Sequence, residues 1–271
     1  MPMFRKLKLR LILSWILALY LLVGAVMYLF QKKLIFHPEP LPADYTFKYD
    51  VPFEEMRIRI NDKTLLSAVL FKSVAAAPKG IVIYFHGNAR NISKYAAKTK
   101  DFTSQGYSVL MMDYPGYGKS TGKLTEEVIY ANALHMYEVA RKFFPADSII
   151  IYGRSLGTAV ATELASVRDC KRLVLEAPYY SMADMAMRLI PIYPYRYMLE
   201  FKFPTDEYLP EVTAPVVIIH GTADQTVPLA SGEKLEKLLK PGDKFIPIEG
   251  ADHNNLGDYP QFHQALDIAL Q

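Results

Sequence analysis

The sequence predicts an α/β fold: a mostly parallel sheet with helices on both faces. Three observations predict it. Short apolar runs without polar alternation recur along the chain, such as "GIVIYF" at 80–85 and "YSVLMM" at 107–112, and such runs suit strands buried on both faces. Segments with helical spacing lie between these runs, as at 124–144 and 156–167. The regular alternation of the two requires crossover connections, and hence parallel strands.

The elements follow in order. Residues 1–10 carry Arg5, Lys6, Lys8 and Arg10 and no acid. Residues 11–30, "LILSWILALYLLVGAVMYLF", carry no charge. As a helix they span about 30 Å, the thickness of the bilayer hydrocarbon. Trp15, Tyr20 and Tyr28 suit an interface, and Lys32 and Lys33 follow. The segment reads as a transmembrane signal anchor. Four basic residues before it against two after orient the N-terminus inside and the body on the non-cytoplasmic side. The small residues Val23-Gly24-Ala25 keep a cleaved signal peptide as the alternative. Residues 31–49 contain His37-Pro38-Glu39-Pro40-Leu41-Pro42 and predict a stiff extended linker.

The remaining domain, 50–271, opens with alternating segments at 56–60 and 65–71, a hairpin signal that adds antiparallel strands at one sheet edge. Strands are then expected at 80–85, 107–112, 148–152, 171–175, 215–219 and 244–248. Helices are expected at 92–105, 124–144, 156–167, 231–240 and 259–270. Residues 179–209, rich in Tyr, Met and Pro, break this rhythm and predict a helical cap insertion.

Composition excludes several classes. Net charge is +3 with 22% charged residues, and no basic stripe with interleaved aromatics suits nucleic acid. Mean hydropathy is +0.06, high for a soluble domain and consistent with a membrane element. The single cysteine, Cys170, excludes an intramolecular disulfide and a Cys-x-x-Cys site, and reads as an unreactive thiol. No metal-ligand spacing or dinucleotide motif follows a strand, so no cofactor is expected. Gly116-Tyr117-Gly118-Lys119-Ser120 lacks the phosphate-loop spacing.

In parallel sheets functional groups gather at strand carboxyl ends. Three ends carry Gly153-Arg154-Ser155-Leu156-Gly157, His220-Gly221-Thr222-Ala223-Asp224 and Glu249-Gly250-Ala251-Asp252-His253. A serine, an aspartate and a histidine thus appear in one order. A serine hydroxyl needs a base to remove its proton, and His253 supplies one. Asp224 orients the imidazole and stabilises its charged form. Asp252 and Asp258 lie too close to His253 in sequence to come from a separate strand. The glycines around Ser155 permit a tight strand-to-helix turn. Backbone amides of Leu156 and of Asn88, in His86-Gly87-Asn88-Ala89, are the expected oxyanion donors, with Ala89 the alternative to Asn88. His86 and His220 also end strands, but each precedes glycine and reads as structural. Asp113 reads as a turn residue, and Asn91-Ile92-Ser93 as a sequon discounted by its position.

"HGNA" (86–89), "DYPGYGKS" (113–120), "GRSLG" (153–157), "HGTAD" (220–224) and "GADHNNL" (250–256) together resemble the alpha/beta-hydrolase superfamily over about residues 50–271. The set most resembles its membrane-anchored serine hydrolases, including lysophospholipases, monoacylglycerol lipases and acyl-protein depalmitoylases. One departure is Arg90, where relatives often carry glycine; its bulk is expected to narrow the acyl pocket. The resemblance implies a Ser-His-Asp enzyme acting on carboxylic esters or thioesters through an acyl-enzyme, with no cofactor and with the lipid bilayer as partner. The cap residues Tyr179, Met182, Met185, Met187 and Ile190 would form an apolar acyl wall, or would simply pack the cap on the core. The rivals are a peptidase or amidase with the same triad and a catalytically silent membrane-tethered binding module. Position 154, inside the serine motif, is left open: Arg154 is structural or meets Asp113 or a neighbouring acid.

Overall fold

The computed structural model describes residues 2–271; Met1, at the head of the basic 1–10 segment, lies outside them. Helix α1 runs Pro2–Ile35. It is five residues longer at its C-terminal end than the apolar 11–30 segment. Gln31, Lys32 and Lys33 are good helix formers, and the helix stops just before His37-Pro38, because a residue preceding proline leaves the helical region. The 37–40 stretch is extended, but it is no free spacer. His37 and Pro38 pair in parallel with Ala89 and Arg90, and Pro40 bridges to Gly118.

Eight strands form one sheet: β1 Phe53–Asn61, β2 Thr64–Phe71, β3 Gly80–Phe85, β4 Tyr107–Met112, β5 Ile149–Arg154, β6 Arg172–Glu176, β7 Val216–Gly221 and β8 Lys244–Ile248. Their spatial order is β8-β7-β6-β5-β3-β4-β2-β1. Only the pairs β1–β2 and β2–β4 are antiparallel; the other five pairings are parallel. The sequence-predicted hairpin therefore closes one edge. Chain order reverses around β3 and β5, and a sheet of this kind leaves its binding crevice at such a switch.

Period-two alternation sends neighbouring side chains to opposite cores. Ile81, Ile83, Ile149 and Ile151 face one core, and Val82, Tyr84, Ile150 and Tyr152 face the other. On the first face pack α2 (Glu126–Arg141) and α3 (Gly157–Val167). Thr125 caps α2 by accepting the Val128 amide, and Glu126 and Glu127 occupy its first turn, where the helix dipole favours negative charge. The predicted 92–105 helix is instead broken into an α turn, a 3-10 turn and another α turn. Thr99 donates its hydroxyl to the Ala96 carbonyl at 2.6 Å, a bond that tightens the middle turn.

The insertion after β6 holds three short helices, α4 Met182–Leu189, α5 Tyr195–Met198 and α6 Thr205–Tyr208. The Glu126 carboxylate accepts the Lys202 and Phe203 amides and so ties this cap to α2. Helices α7 (Leu229–Glu236) and α8 (Pro260–Leu270) complete the domain.

Candidate active site

The site grows out of the turn between β5 and α3. Ser155 sits there with φ of +51°, a left-handed conformation that costs a non-glycine residue energy. The glycines two positions away on either side, Gly153 and Gly157, have no room for a side chain. A Cβ on Gly157 would lie 2.1 Å from the Phe85 carbonyl oxygen, and one on Gly153 2.4 Å from the Gly157 carbonyl oxygen. The close packing of β3, β5 and α3 thus forces the turn, and the turn lifts the Ser155 hydroxyl to the sheet's carboxyl edge. The Ser155 amide donates to the Glu176 carbonyl at 2.9 Å, so β6 pins the turn from the other side.

The structure brings the three sequence-predicted residues together. His253 Nε2 lies 3.0 Å from Ser155 Oγ, and His253 Nδ1 lies 2.7 Å from Asp224 Oδ2. The second oxygen of Asp224 accepts the Thr226 and Val227 amides, each at 2.8 Å. Those bonds fix the carboxylate plane, so one oxygen always faces the imidazole. All three side chains are buried.

The amides of Asn88 and Leu156 find no protein acceptor among the described residues, and both residues line the same cavity. The Asn88 carbonyl accepts from the His37 amide at 3.0 Å and from the Tyr117 hydroxyl at 2.7 Å. Its side-chain amide donates to the Ile35 carbonyl at 2.9 Å. The end of α1 and the chain leaving it therefore hold this loop in place, a support that sequence spacing does not reveal.

Arg154, left open by the sequence, meets Glu176 rather than Asp113. Its Nε donates to Glu176 Oε1 at 2.8 Å and a terminal nitrogen donates to the His253 carbonyl at 2.8 Å. Tyr152 completes the set by donating to Glu176 Oε2 at 2.5 Å. Burial raises the Glu176 carboxyl pKa, but the Arg154 charge, the Lys98 charge and the hydrogen bonds from Tyr152 and Arg154 together outweigh this and hold it below the ordinary range. The pair, both members buried, ties the serine turn to the backbone of the histidine.

The competing groups have structural surroundings. His220 is buried, its Nε2 is 2.8 Å from the Val227 carbonyl, and burial lowers its pKa, so its ring is neutral. Asp113 accepts the Ile92 amide at 2.9 Å. Asn91 caps Ser93 and donates to the Glu39 carbonyl, which leaves its side chain buried. Burial pushes the Cys170 thiol up to about 12, out of reach of thiolate chemistry. No cluster with metal-ligand geometry occurs among the described residues.

Beside Asn88 and Leu156 lies a cavity of about 340 Å³, within the range of small-ligand sites. Tyr179, Met182 and Met185 line it as expected, whereas Met187 and Ile190 do not. The amphipathic turn of α4 explains the split: 182, 185 and 186 share one helical face, and 187 points away. Arg90 was expected to narrow this pocket and does not. Its side chain is exposed and pairs with Glu39 at 2.6 Å, because a φ of +67° aims it outward. That left-handed angle also accounts for glycine suiting the position. The unexpected wall is α1: Met27, Tyr28, Gln31, Leu34 and Ile35 all line the cavity.

Residues 76–202 match a protein-family model described as serine aminopeptidase, S33. Over 200 residues the chain is 28% identical to mouse alpha/beta hydrolase domain-containing protein 17C, covering 73% of this chain and 61% of that protein. The chain has the alpha/beta-hydrolase fold. This hydrolase is also 29% identical over 236 residues to an uncharacterized protein of Mycobacterium tuberculosis, covering 86% of the chain and 84% of that protein. It is 35% identical over 180 residues to the human protein ABHD12B, of whose length it spans half (50%), with 59% of its own. An esterase of Pyrococcus furiosus superposes on the hydrolase with a TM-score of 0.67 at 19% identity, over 87% of this chain and 100% of the other; that likeness is one of fold.

Proposed function

We propose that this hydrolase is a membrane-anchored serine hydrolase that cleaves carboxylic ester or thioester bonds of lipid-like acyl substrates. The observation that carries the reading is the continuous relay from Ser155 through His253 to Asp224, opening beside a cavity lined mostly by apolar side chains.

The chemistry follows from the geometry. Asp224 accepts a hydrogen bond from His253 Nδ1–H, which keeps that proton on Nδ1 and leaves Nε2 free to accept the Ser155 proton. As that proton moves, Ser155 Oγ bonds to the acyl carbon and the carbonyl oxygen takes the negative charge. The amides of Asn88 and Leu156 and the N-terminus of α3 point at that charge and stabilise it. Collapse breaks the ester or thioester bond, and His253 returns the proton to the departing alcohol or thiol. Water then repeats the sequence on the acyl-enzyme, with His253 as base, releasing the acid. The Arg154 contact to the His253 carbonyl keeps the ring in place through both halves.

A peptidase reading has one observation in its favour, the family model's description as a serine aminopeptidase. The cavity speaks against it. Its lining carries one formal charge, Arg188, and no carboxylate to receive an amino terminus. Helix α1 contains a 30-residue segment, Lys6–Ile35, long and apolar enough to cross a membrane, and an enzyme held there meets substrates that partition into bilayers. The charge bias around the helix supports an orientation with the hydrolase domain outside the cytoplasm.

A fluorophosphonate probe tests the nucleophile. Wild-type protein is expected to be labelled and Ser155→Ala is not; absence of wild-type labelling, or equal labelling of both, would refute the reading. A panel of p-nitrophenyl esters of rising chain length, run against aminoacyl amides, then tests the substrate class. Faster turnover of the amides would replace the esterase reading by the peptidase one.

A further inference from the structure

We infer that the cap is seated in the membrane leaflet beside α1, and that the acyl cavity opens sideways into that leaflet, so that a lipid acyl chain enters lying along α1. The inference rests on the anchored serine-hydrolase reading and adds the substrate's source and path.

The cap does not merely lie near α1; it is bonded to it. The rings of Tyr20 and Tyr193 stack at 4.6 Å. Tyr20 donates its hydroxyl to the Ile192 carbonyl at 3.1 Å, and Tyr193 donates to the Tyr20 carbonyl at 2.8 Å. Gly24 permits the approach, because a Cβ there would lie 2.9 Å from the Tyr193 ring. Nearer the helix end, Gln31 accepts the Glu200 amide at 2.7 Å, and Lys32 pairs with Glu200 at 3.2 Å.

These contacts fix a depth. Tyr20 lies ten residues before Phe30, about 15 Å along a helix axis. If residues 11–30 cross the hydrocarbon, whatever packs on Tyr20 and Gly24 lies well inside one leaflet. The cap surface fits such a position. Leu189, Ile192 and Tyr197 are 80%, 60% and 86% exposed, and Ile192 adjoins the Tyr193 contact with Tyr20 of α1. Both phenols at the junction have carbonyl partners, as polar groups out of reach of water require.

The exposed lining of the cavity is of two kinds, polar at Arg188, Gln225 and Thr226 and apolar where α1 meets the cap. Among its lining residues Tyr28, Leu34 and Leu189 are the apolar side chains left exposed, two from α1 and one from the cap. The other end reaches Asn88 and Leu156. From Ile35, bonded to Asn88, to Met27 the wall runs about 12 Å along α1. A lipid in the leaflet has its ester near the headgroups and its chain toward the bilayer centre. The cavity presents its oxyanion donors at the helix end and its apolar length toward the middle of α1. The substrate class is therefore an acyl glycerolipid resident in the leaflet, entering without turning over and without crossing water.

The test uses the full chain reconstituted in phosphatidylcholine vesicles. Trp15 is the only tryptophan, so Ile192→Trp in a Trp15→Phe background reports from the cap alone. Quenching by lipids brominated on their chains, with little quenching by acrylamide, is expected; the reverse would overturn the inference. Gly24→Leu and, separately, Tyr193→Ala pry the cap from α1 and line no part of the cavity. Each is expected to slow hydrolysis of a long-chain monoacylglycerol in vesicles at least tenfold, with p-nitrophenyl butyrate turnover and fluorophosphonate labelling unchanged. Equal loss on both substrates, or none on either, would overturn it. Parent labelling and resistance to alkaline carbonate extraction are read separately, so failure of the serine-hydrolase or anchor reading is distinguished from failure of lateral entry.

Discussion

The two ends of the candidate active site are built on different principles. The end around Ser155 is made of backbone held in fixed places: a left-handed turn, glycines pressed against carbonyls, and the buried Arg154–Glu176 pair. The end around α1 and the cap is made of adaptable side chains, methionines and tyrosines meeting across 173 residues of sequence. Chemistry tolerates little displacement of the reacting atoms, so rigid backbone suits the first. Selection among acyl chains needs shape without rigid geometry, and methionine fills irregular apolar space well. The difference predicts large, substrate-independent losses from changes at the first end and smaller, substrate-dependent ones at the second.

Ser155→Ala is expected to have the largest effect, a loss on the order of 10⁶ in kcat, equal for short and long esters. Asp224→Asn follows, at about 10⁴, because an amide in this position offers its nitrogen to His253 or loses the Thr226 and Val227 bonds. Single-turnover kinetics with a chromogenic ester measure both. A chain-length dependence in either loss would break the comparison.

Arg154→Met tests the rigid end through stability. Removing one partner of a buried ion pair costs about 3–5 kcal/mol, which lowers Tm by on the order of 10 °C. The pH dependence identifies the cause. The Glu176 carboxyl is held below its ordinary value of 4.5, so its contribution is present above that value and fades as pH falls through the folded pKa. In the variant the Arg154 charge and hydrogen bond are gone, and burial, the largest influence, is opposed only by Lys98 and Tyr152. The carboxyl is therefore expected to rise, and the variant to lose stability as pH rises above 4.5 instead. The difference in Tm between the two proteins should be widest near neutral pH and shrink below about pH 4.5. A difference independent of pH would assign the loss to packing rather than to the pair.

How much of this was legible in the sequence differs between the two ends for the same reason. Ser155, Asp224 and His253 could be found because each follows its own apolar strand within a few residues, and parallel strands deliver their ends to one edge. The partner of Arg154 could not, because Glu176 ends a neighbouring strand and reads locally as one more polar residue. The contacts of α1 were less legible still. Tyr20 and Gly24 fit an interfacial aromatic and a small residue of a cleavage site equally well, and nothing local couples them to Tyr193. Gln31, a lone polar residue among apolar ones before Lys32, was the nearest to a signal. The outward turn of Arg90 depends on a backbone angle that no pattern of residue types encodes.

Asn88 joins the two ends, and a change there should show an intermediate effect. Asn88→Ala keeps the backbone amide and removes the bond to the Ile35 carbonyl at 2.9 Å and a longer contact to His37 Nδ1 at 3.5 Å. A single hydrogen bond of this kind contributes about 0.5–1.5 kcal/mol, so kcat on a short ester should fall by up to about tenfold. A loss of several hundredfold would mean that α1 controls the oxyanion loop far more tightly than one bond implies.

The smallest expected effect belongs to Met185, which lines the cavity and packs partly buried against the core. Met185→Leu conserves volume and should change stability by less than about 1.5 kcal/mol. Met185→Ala opens space in the wall instead. Each methylene that gains burial there contributes about 0.8 kcal/mol, close to fourfold in kcat/KM. Across p-nitrophenyl esters of increasing length, the alanine variant should therefore shift its optimum toward longer chains, with butyrate turnover little changed. The leucine variant should leave the optimum where it is. If alanine lowers turnover of every ester by one common factor, Met185 braces the cap and does not touch the acyl chain, and substrate selection moves to the α1 side of the cavity, to Met27 and Leu34.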